Sequence, residues 1–387
     1  MEALSNIKRL INGIDVKLGA KVVDLDSGVK ILCNGYNAAK GNTYSKISSS
    51  SKVESVKRIY EIFDNANKTT GYNDGTLTAS VQRLCNNYAA GNLLYSFGAL
   101  SDIHIQYETG LADFQRALTY LKDKVPFTCI CGDLVSYADS TTMAQYKNYV
   151  DTYAGNMEIY ECAGNHETFP AQGVGGTLDT TLWKNTTGKD PYYSFEYGGD
   201  VFIFLSNYQH TPNNLFPSGG LAWLENTLEA NKNKRCFVFQ HIAQSSIDKA
   251  ADPSNSYDAG MMEGTSGKAF IALLKRYKNT VWFHGHTHIT LGVEQYPVSE
   301  NLGYRSVHIP SLVSPRFYDK ETNSWSDSYI EPGVGTIWGS VLAEGYIVEV
   351  YGSKIVLRGI NFAAGANKNE VAPFTDEVYM LDTSKKA

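Results

Sequence analysis

The sequence predicts an α/β fold in which two β-sheets pack together as a sandwich and helices flank them. Two observations carry this prediction. From about residue 95 to residue 162, apolar runs of strand length alternate with segments of helical periodicity. After residue 190, further strand-length runs follow, and two pairs of them are arranged as hairpins. Residues 1–94 lack a comparable pattern, and we interpret them as an accessory region with no assigned fold.

The first elements predict parallel strands. Apolar runs of strand length occupy residues 94–100, 127–131 and 157–162. The segments between them, 110–124 and 141–153, place apolar side chains at helical spacing. Because two β-α-β crossovers of ordinary length follow each other, we expect parallel strands with the helices packed outside.

The later elements predict further strands and helices. Residues 192–197 and 201–205 flank the turn Gly198-Gly199-Asp200 and predict one hairpin, and residues 345–351 and 354–360 predict another. Between the hairpins, the predicted elements are helices at 221–230 and 268–277 and strands at 236–239 and 281–283.

The composition excludes several classes of protein. The chain has 387 residues, of which 43% are apolar and 19% charged, so it can bury a large core and is not disordered throughout. The 34 basic and 40 acidic residues give a net charge of −6, and no Lys/Arg run exceeds two residues, which argues against nucleic-acid binding by a basic surface. No apolar stretch approaches the ~18 residues of a membrane span. The chain as given begins without a signal peptide, and its compartment and oligomeric state are left open.

The six cysteines are too sparse for a disulfide scaffold. Four of them lie in apolar, strand-like runs, and we predict that they are small buried hydrophobic residues. These four are Cys129, Cys131, Cys162 and Cys236.

Polar residues stand at the carboxyl ends of five predicted strands. The segments are SDIH at 101–104, CGD at 131–133, AGNHE at 163–167, VFQH at 238–241 and FHGHTH at 283–288. Ligands of α/β proteins bind at the carboxyl ends of strands, so we expect these segments to converge on one crevice.

The converging side chains are oxygen and imidazole donors without a thiolate: Asp102, His104, Asp133, Asn165, His241, His286 and His288. That donor set suits manganese, iron or zinc better than it suits a structural zinc site. Seven ligands are too many for one ion, but they fit two ions if one carboxylate bridges them. Residues two apart on a strand face the same side, which would bring both members of each pair, 102/104 and 286/288, into the cluster. Glycines at 132, 164 and 285 directly precede ligands, where the backbone must approach closely.

In this order, the motifs Asp-x-His, Gly-Asp, Gly-Asn-His-Glu, His and Gly-His-x-His resemble those of the calcineurin-like metallophosphoesterase superfamily, over about residues 97–360. The resemblance implies the calcineurin-like fold, with a catalytic domain at 95–363 and a C-terminal tail at 364–387. It also implies a hydrolase of small-molecule phosphate mono- or diesters, which acts by in-line attack of a metal-bridging hydroxide on phosphorus.

The resemblance implies a role for each side chain. Asp102, His104 and His288 would bind the first metal ion. Asn165, His241 and His286 would bind the second, and Asp133 would bridge the two. His166 would bind no metal and would stabilise the transition state or protonate the leaving oxygen.

One position departs from the pattern of the purple acid phosphatases in this superfamily, which place a metal-binding tyrosine three residues after the bridging aspartate. Here that position is Ser136, and the tyrosine follows at Tyr137. The resemblance therefore implies an ordinary, colourless dimetal site, unless a one-residue bulge brings Tyr137 inward. Tyr107 and Arg316 are expected to rim the site, Arg316 as a phosphate contact or as the partner of a surface salt bridge.

The remaining histidines are interpreted as supporting groups: His284 as a packed or ligand-orienting residue, His308 as structural or pocket-lining, and His210 as a loop residue. Insertions at 168–190, 212–219 and 245–267 are the expected specificity elements.

Two other classes of function stay open. One is a surface-binding or adhesion protein in which residues 1–92 do the work and the phosphoesterase domain is auxiliary. The other is a protein whose dimetal site does redox or structural work.

Overall fold

A computed structural model describes residues 93–107, 109–170, 175–211, 213–243, 262–291, 298–299, 303–319, 324–326, 328–331, 335–338, 342–352, 354–363 and 378–382. Backbone contacts divide the chain into one unit of residues 1–93 with 376–380 and a second of residues 94–375 with 381–387. Almost all of the described residues belong to the second unit. Residues 1–92, where the sequence analysis placed the accessory region and the adhesion hypothesis, lie outside the described part.

The amino-terminal elements of the second unit form a β-α-β-α-β arrangement. They are β1 (Tyr95–Leu100), α1 (Gly110–Leu121), β2 (Phe127–Cys131), α2 (Ser140–Tyr153) and β3 (Glu158–Cys162). Strand β2 pairs in parallel with β1 on one side and with β3 on the other, as the two crossovers predicted.

A 3-10 helix, His166–Thr168, precedes the remaining elements. These are α3 (Thr180–Thr187), β4 (Tyr192–Tyr197), β5 (Asp200–Leu205), α4 (Gly220–Ala230), β6 (Cys236–Phe239), α5 (Thr265–Arg276), β7 (Thr280–His284), β8 (Val298–Ser299), β9 (Arg305–His308), β10 (Phe317–Asp319), β11 (Ser324–Ser326), β12 (Ser328–Glu331), β13 (Gly335–Trp338), β14 (Glu344–Tyr351), β15 (Lys354–Asn361) and β16 (Val378–Asp382).

Most of the strands build two mixed sheets, and β10–β11 and β12–β13 form two short antiparallel pairs. In the first, β15, β14, β1, β2 and β3 are neighbours in that order, and β14 runs antiparallel to both β1 and β15. In the second, the order is β4-β5-β6-β7-β9-β8, in which β5, β6, β7 and β9 are parallel and the two outer pairs are antiparallel. Both predicted hairpins are present, β4–β5 and β14–β15.

A layer of aromatic side chains fills the space between the two sheets. Phe97 of β1 is fully buried and stacks on Phe127 of β2, with ring centroids 5.5 Å apart. From the second sheet it meets Phe202 at 5.1 Å, Phe237 at 5.6 Å and Phe283 at 6.1 Å. Helices α1 and α2 cover the outer face of the first sheet, and α4 and α5 cover that of the second. The predicted two-sheet sandwich with flanking helices is thus confirmed.

Replacing Phe97 with alanine is expected to lower the free energy of unfolding by about 3–5 kcal/mol, because the cavity would open between both sheets. Urea unfolding followed by circular dichroism measures this loss. Leu94→Ala is the control, since the Leu94 side chain is 58% exposed and should change stability by no more than about 0.5 kcal/mol. An unchanged urea midpoint for Phe97→Ala would mean that the aromatic layer does not hold the sheets together.

Cys129, Cys131, Cys162 and Cys236 are buried and free, as predicted. The Sγ atoms of Cys131 and Cys162 lie 4.0 Å apart, a contact without a covalent bond. Among the described residues, no helix is both long enough and apolar enough to cross a bilayer.

The insertion at 168–190 is not loop throughout, since it contains helix α3. The Asp179 side chain accepts hydrogen bonds from the backbone N–H groups of Thr181 and Leu182 at its start, and Gly188 ends it with a left-handed backbone (φ 74°). Trp183 is the one buried residue of α3, so the helical periodicity of its sequence is weak. The capping residues at its start and its end are nevertheless present. Of the insertion at 245–267, residues 245–261 lie outside the described part, and α5 begins at Thr265.

Candidate metal centre

The candidate site lies where five strands end at one edge of the sandwich. Strands β1, β2 and β3 come from the first sheet, and β6 and β7 from the second. Backbone hydrogen bonds continue beyond the strands and tie these ends together. The N–H of Asp102 donates to Gly132 O (3.1 Å), and the N–H of Gly285 donates to His241 O (3.1 Å). The convergence predicted from the strand ends is therefore present in the fold.

Asp102, His104 and His288 form the first of three overlapping groups of donor atoms, each group with its atoms within 4.8 Å of one another. His288 Nε2 lies 3.2 Å from Asp102 Oδ1. His104 Nε2 and His288 Nε2 lie 3.1 Å apart. Two imidazole nitrogens and a carboxylate oxygen at these separations form a site that one cation can occupy.

Asp133 belongs to the other two groups, one with His241 and His286 and one with His104 and His166. Its Oδ2 atom lies 2.9 Å from His241 Nε2, 3.7 Å from His104 Nε2 and 4.0 Å from His166 Nε2. The carboxylate therefore stands between His104 of the first group and His241 of the group with His286, which is the position that a bridging ligand needs.

Asn165 adds an oxygen donor that is otherwise unused. The residue is 4% exposed, and its Oδ1 atom is buried with no hydrogen-bond partner. A buried carbonyl oxygen without a partner costs free energy, and a bound cation would remove that cost. This orphaned atom makes the donor set fit a metal ion.

The electrostatics of the site also fit a bound cation. Asp102 and Asp133 are buried, and within the described part every ion pair that the structure gives them is with a histidine. Burial alone would raise the pKa of Asp102, but the nearby His288 and His241 outweigh it and hold that pKa below its usual value. The two carboxylates thus stay ionised in a buried place, where cations would balance them.

The pKa values of His241 and His104 are shifted in opposite directions by burial and by the nearby carboxylates. Burial alone would lower the pKa of His241, but Asp133 and Asp102 raise it to about 10. Burial lowers the pKa of His104 to about 3, so this imidazole is neutral and can act as a ligand. A proton on His241 supplies positive charge between the two carboxylates, where a metal ion would supply it in the loaded protein.

Five of the candidate ligands have a left-handed backbone. They are Asp102 (φ 54°), His104 (φ 41°), Asp133 (φ 53°), His286 (φ 74°) and His288 (φ 54°). The only other non-glycine residue with positive φ in the described part is Ser314. The expectation that the pairs 102/104 and 286/288 share a face of an extended strand is therefore wrong. Both pairs lie beyond their strands, in conformations that L-residues rarely adopt. Backbone strain in the described part is therefore concentrated at the candidate ligands.

The glycines before ligands are required by close approach, as positions 132 and 164 show. A Cβ atom on Gly132, whose φ is 85°, would lie 2.6 Å from His241 Nδ1. One on Gly164 would lie 2.7 Å from the backbone nitrogen of Asp133. Each strand end can therefore pass its neighbour only because these side chains are absent.

Glu167 ties two of the turns together by hydrogen bonds, one of which lies within its own turn. Its buried carboxylate accepts hydrogen bonds from the backbone N–H groups of Asp133 (3.0 Å), Val135 (3.1 Å) and Gly164 (2.6 Å). Burial, followed by the charge of Asp133, raises its pKa to about 7. The carboxylate does not contact the His166 ring in these hydrogen bonds, so it orients the turns rather than that imidazole.

His166 faces the cluster from its open side. Its ring Nδ1 lies 2.7 Å from Ser136 O, and its backbone N–H donates to Asp133 Oδ1 (3.0 Å). Donation to a carbonyl requires a proton on Nδ1, which directs Nε2 toward Asp133. The side chain is 29% exposed and can be reached by a substrate.

Tyr107 and Arg316 both lie beside the first group. Tyr107 is 48% exposed, and its ring centroid is 5.2 Å from that of His104. The backbone N–H of Arg316 donates to His288 O (2.6 Å). Ser136, at the position where the purple enzymes have tyrosine, places its Oγ 3.5 Å from His104 Nδ1.

The other histidines differ in position. His284 and His308 are buried, with ring centroids 5.5 Å apart. His210 lies at the site, although the sequence analysis interpreted it as a loop residue. Its ring centroid is 5.7 Å from that of Phe169 and 6.2 Å from that of His286. The signal that was missed is that His210 follows β5, which is parallel to β6 and so ends at the same edge.

Comparison with known proteins gives one family match. A family model described as calcineurin-like phosphoesterase matches residues 95–290, just over half of the chain. No curated protein matches the chain.

Several solved structures match parts of the chain. A purple acid phosphatase from seeds of yellow lupin (Lupinus luteus) is 15% identical, with a TM-score of 0.49, and the match covers 76% of this chain and 54% of the lupin protein. The chain thus spans about half the length of that protein. Vps29 from Chaetomium thermophilum is 12% identical, with a TM-score of 0.31, over 75% of this chain and 99% of that one. The NAD nucleotidase of Haemophilus influenzae is 14% identical, with a TM-score of 0.31, over 73% of this chain and 49% of that one.

Proposed function

This chain belongs to the calcineurin-like phosphoesterase family, and we propose that it is a dinuclear metal-dependent phosphohydrolase that cleaves a small phosphate mono- or diester. The observation that carries the proposal is the convergence of oxygen and imidazole donors from five strand ends on the Asp133 carboxylate. No cysteine takes part in these groups, which favours a catalytic rather than a structural metal site among the described residues.

The proposed ligand sets follow the overlapping groups. Asp102, His104 and His288 would hold one ion. His241 and His286 would hold the other together with Asn165, whose buried Oδ1 atom has no hydrogen-bond partner. Asp133 would be shared, since its Oδ2 atom lies near imidazoles of both sets.

The bound ions, of manganese, iron or zinc, would supply Lewis acidity toward water and the phosphoryl oxygens. The candidate ligands would hold these ions, and His166 would contact the bound ester. A water oxygen forms a bond to phosphorus, and the opposite P–O ester bond breaks. His166, held by Ser136 O at its Nδ1 and with a proton on each ring nitrogen, would give the Nε2 proton to the leaving oxygen, while a proton of the attacking water would pass to solvent.

The test combines metal analysis with ester hydrolysis. The purified full chain, loaded with Mn²⁺ and desalted, is expected to hold about two metal ions per chain. It is also expected to hydrolyse p-nitrophenyl phosphate, bis-p-nitrophenyl phosphate or both, and EDTA treatment should abolish that turnover until Mn²⁺ is restored. The ratio of the two activities reports the preference for a mono- or diester. A chain that takes up no metal would contradict the proposal, as would a loaded chain inactive on both esters.

A further inference from the structure

His210 belongs to the site but not to the proposed ligand sets. It lies on the segment that follows β5, with its ring centroid 6.2 Å from that of His286. The residue is half-buried, so part of its surface is open to solvent. It is therefore near enough to the cluster to meet a bound ligand, and accessible enough to be reached by one.

The backbone before His210 is held in place. The N–H of Asn207 donates to Ala163 O (2.8 Å), on the turn that carries Asn165. The N–H of Tyr208 donates to Leu215 O (2.8 Å), and the side-chain amide of Gln209 donates to Thr177 Oγ1 (2.9 Å). These bonds fix the segment up to Gln209, directly before His210.

Phe169 separates His210 from His166. The ring centroids of His166 and Phe169 are 4.7 Å apart, and those of Phe169 and His210 are 5.7 Å apart. His166 lies on the side of His104, at a centroid distance of 4.6 Å, whereas His210 lies on the side of His286. Two imidazoles thus flank one apolar ring, one beside the candidate ligand His104 and the other beside the candidate ligand His286.

A phosphate ester presents several charged oxygens in different directions, and an imidazole N–H is a good donor to such an oxygen. We propose that His210 is a substrate-binding residue, which donates a hydrogen bond to a phosphoryl oxygen from the His286 side while His166 addresses the leaving oxygen. The inference rests on the proposed function for the nature of the substrate.

The test measures binding of inorganic phosphate to the Mn²⁺-loaded full chain by isothermal titration calorimetry, together with the metal content of each variant. His210→Phe keeps a ring against Phe169 but removes the nitrogen donors. We expect about a tenfold or greater rise in the phosphate Kd with the metal content unchanged. His210→Asn keeps a donor and should recover part of the affinity. Thr211→Ala, a change at the exposed residue that follows His210, should bind phosphate as the unaltered chain does.

Three results would overturn the inference: His210→Phe binds phosphate as tightly as the unaltered chain, it loses metal, or the unaltered chain binds no phosphate. Metal loss would mean that His210 acts through His286. The proposed function is tested separately. If phosphate binding depends on His210 but neither nitrophenyl ester is hydrolysed, the phosphohydrolase proposal fails and the inference stands. If both esters are hydrolysed with an unchanged KM in His210→Phe, the inference fails and the phosphohydrolase proposal stands.

Discussion

Asp133→Asn is expected to remove metal from both positions and to lower turnover by more than about 100-fold. Loss of a group that merely orients a metal ligand costs ~10–100-fold in metal affinity or activity, so loss of a shared ligand's charge should cost more. The substitution keeps the shape of the side chain and an oxygen that can accept the hydrogen bond from the His166 N–H. It removes the negative charge that lies 2.9 Å from His241 Nε2 and 3.7 Å from His104 Nε2.

Elemental analysis after desalting, beside kcat on both nitrophenyl esters, measures the two effects of Asp133→Asn. Asp123→Asn is the matched control, because Asp123 is exposed on the turn after α1 and the same charge change there should leave metal and turnover unchanged. If Asp133→Asn kept two ions and its turnover, Asp133 would not be the shared ligand.

His166→Ala is expected to retain its metal and to lower kcat by about 10²–10⁴-fold, the usual contribution of a general acid. The ring contributes no atom to the two proposed ligand sets, and its Nε2 lies 4.0 Å from Asp133 Oδ2. Metal content therefore separates this variant from Asp133→Asn, in which both metal and turnover should be lost.

A comparison of leaving groups tests the role of His166 further. Phenyl phosphate releases a more basic oxygen than p-nitrophenyl phosphate and depends more on a proton donor. The loss of kcat in His166→Ala should therefore be larger on phenyl phosphate. Equal losses on the two esters would show that the imidazole stabilises charge in the transition state and does not protonate the leaving oxygen. Loss of metal would show that neither role is right.

The strands and the residues of the site were predictable because buried strands have apolar sequences and the polar residues that follow them mark their carboxyl ends. Strands buried on both faces appear as unbroken apolar runs, and the predicted bounds of Phe127–Cys131 and Cys236–Phe239 agree with the structure. Polar residues that directly follow such runs must lie at one edge of a parallel sheet. Asp102 and Asp133 could therefore be placed together without knowledge of their backbone geometry.

Elements with little buried surface could not be predicted in the same way. Helix α3 buries Trp183 and no other complete side chain, so its pattern is close to that of a polar loop. Strands β10 to β13 have three or four residues each, too few for a two-residue period to stand out. The position of His210 depends on the bridge between Gln209 and Thr177, which joins residues far apart in the sequence.

The roles of Tyr107 and Arg316 stay predictions for a related reason. The structure places both beside the first group, Tyr107 through its ring and Arg316 through its backbone. Whether either side chain touches a phosphate depends on the shape of the substrate, which the residue types around the candidate ligands do not specify.

The left-handed backbone at the candidate ligands has a consequence for attempts to improve this protein in the laboratory. Each such residue costs about 1 kcal/mol or more relative to an ordinary conformation, and glycine would relieve that cost at positions such as His104 or His288. Directed evolution that selects only for heat resistance would thus favour substitutions that relieve this strain, and each of them would remove a candidate ligand. Selection would need to score hydrolysis in the same round, because relief of this backbone strain would come at the residues proposed to carry the chemistry.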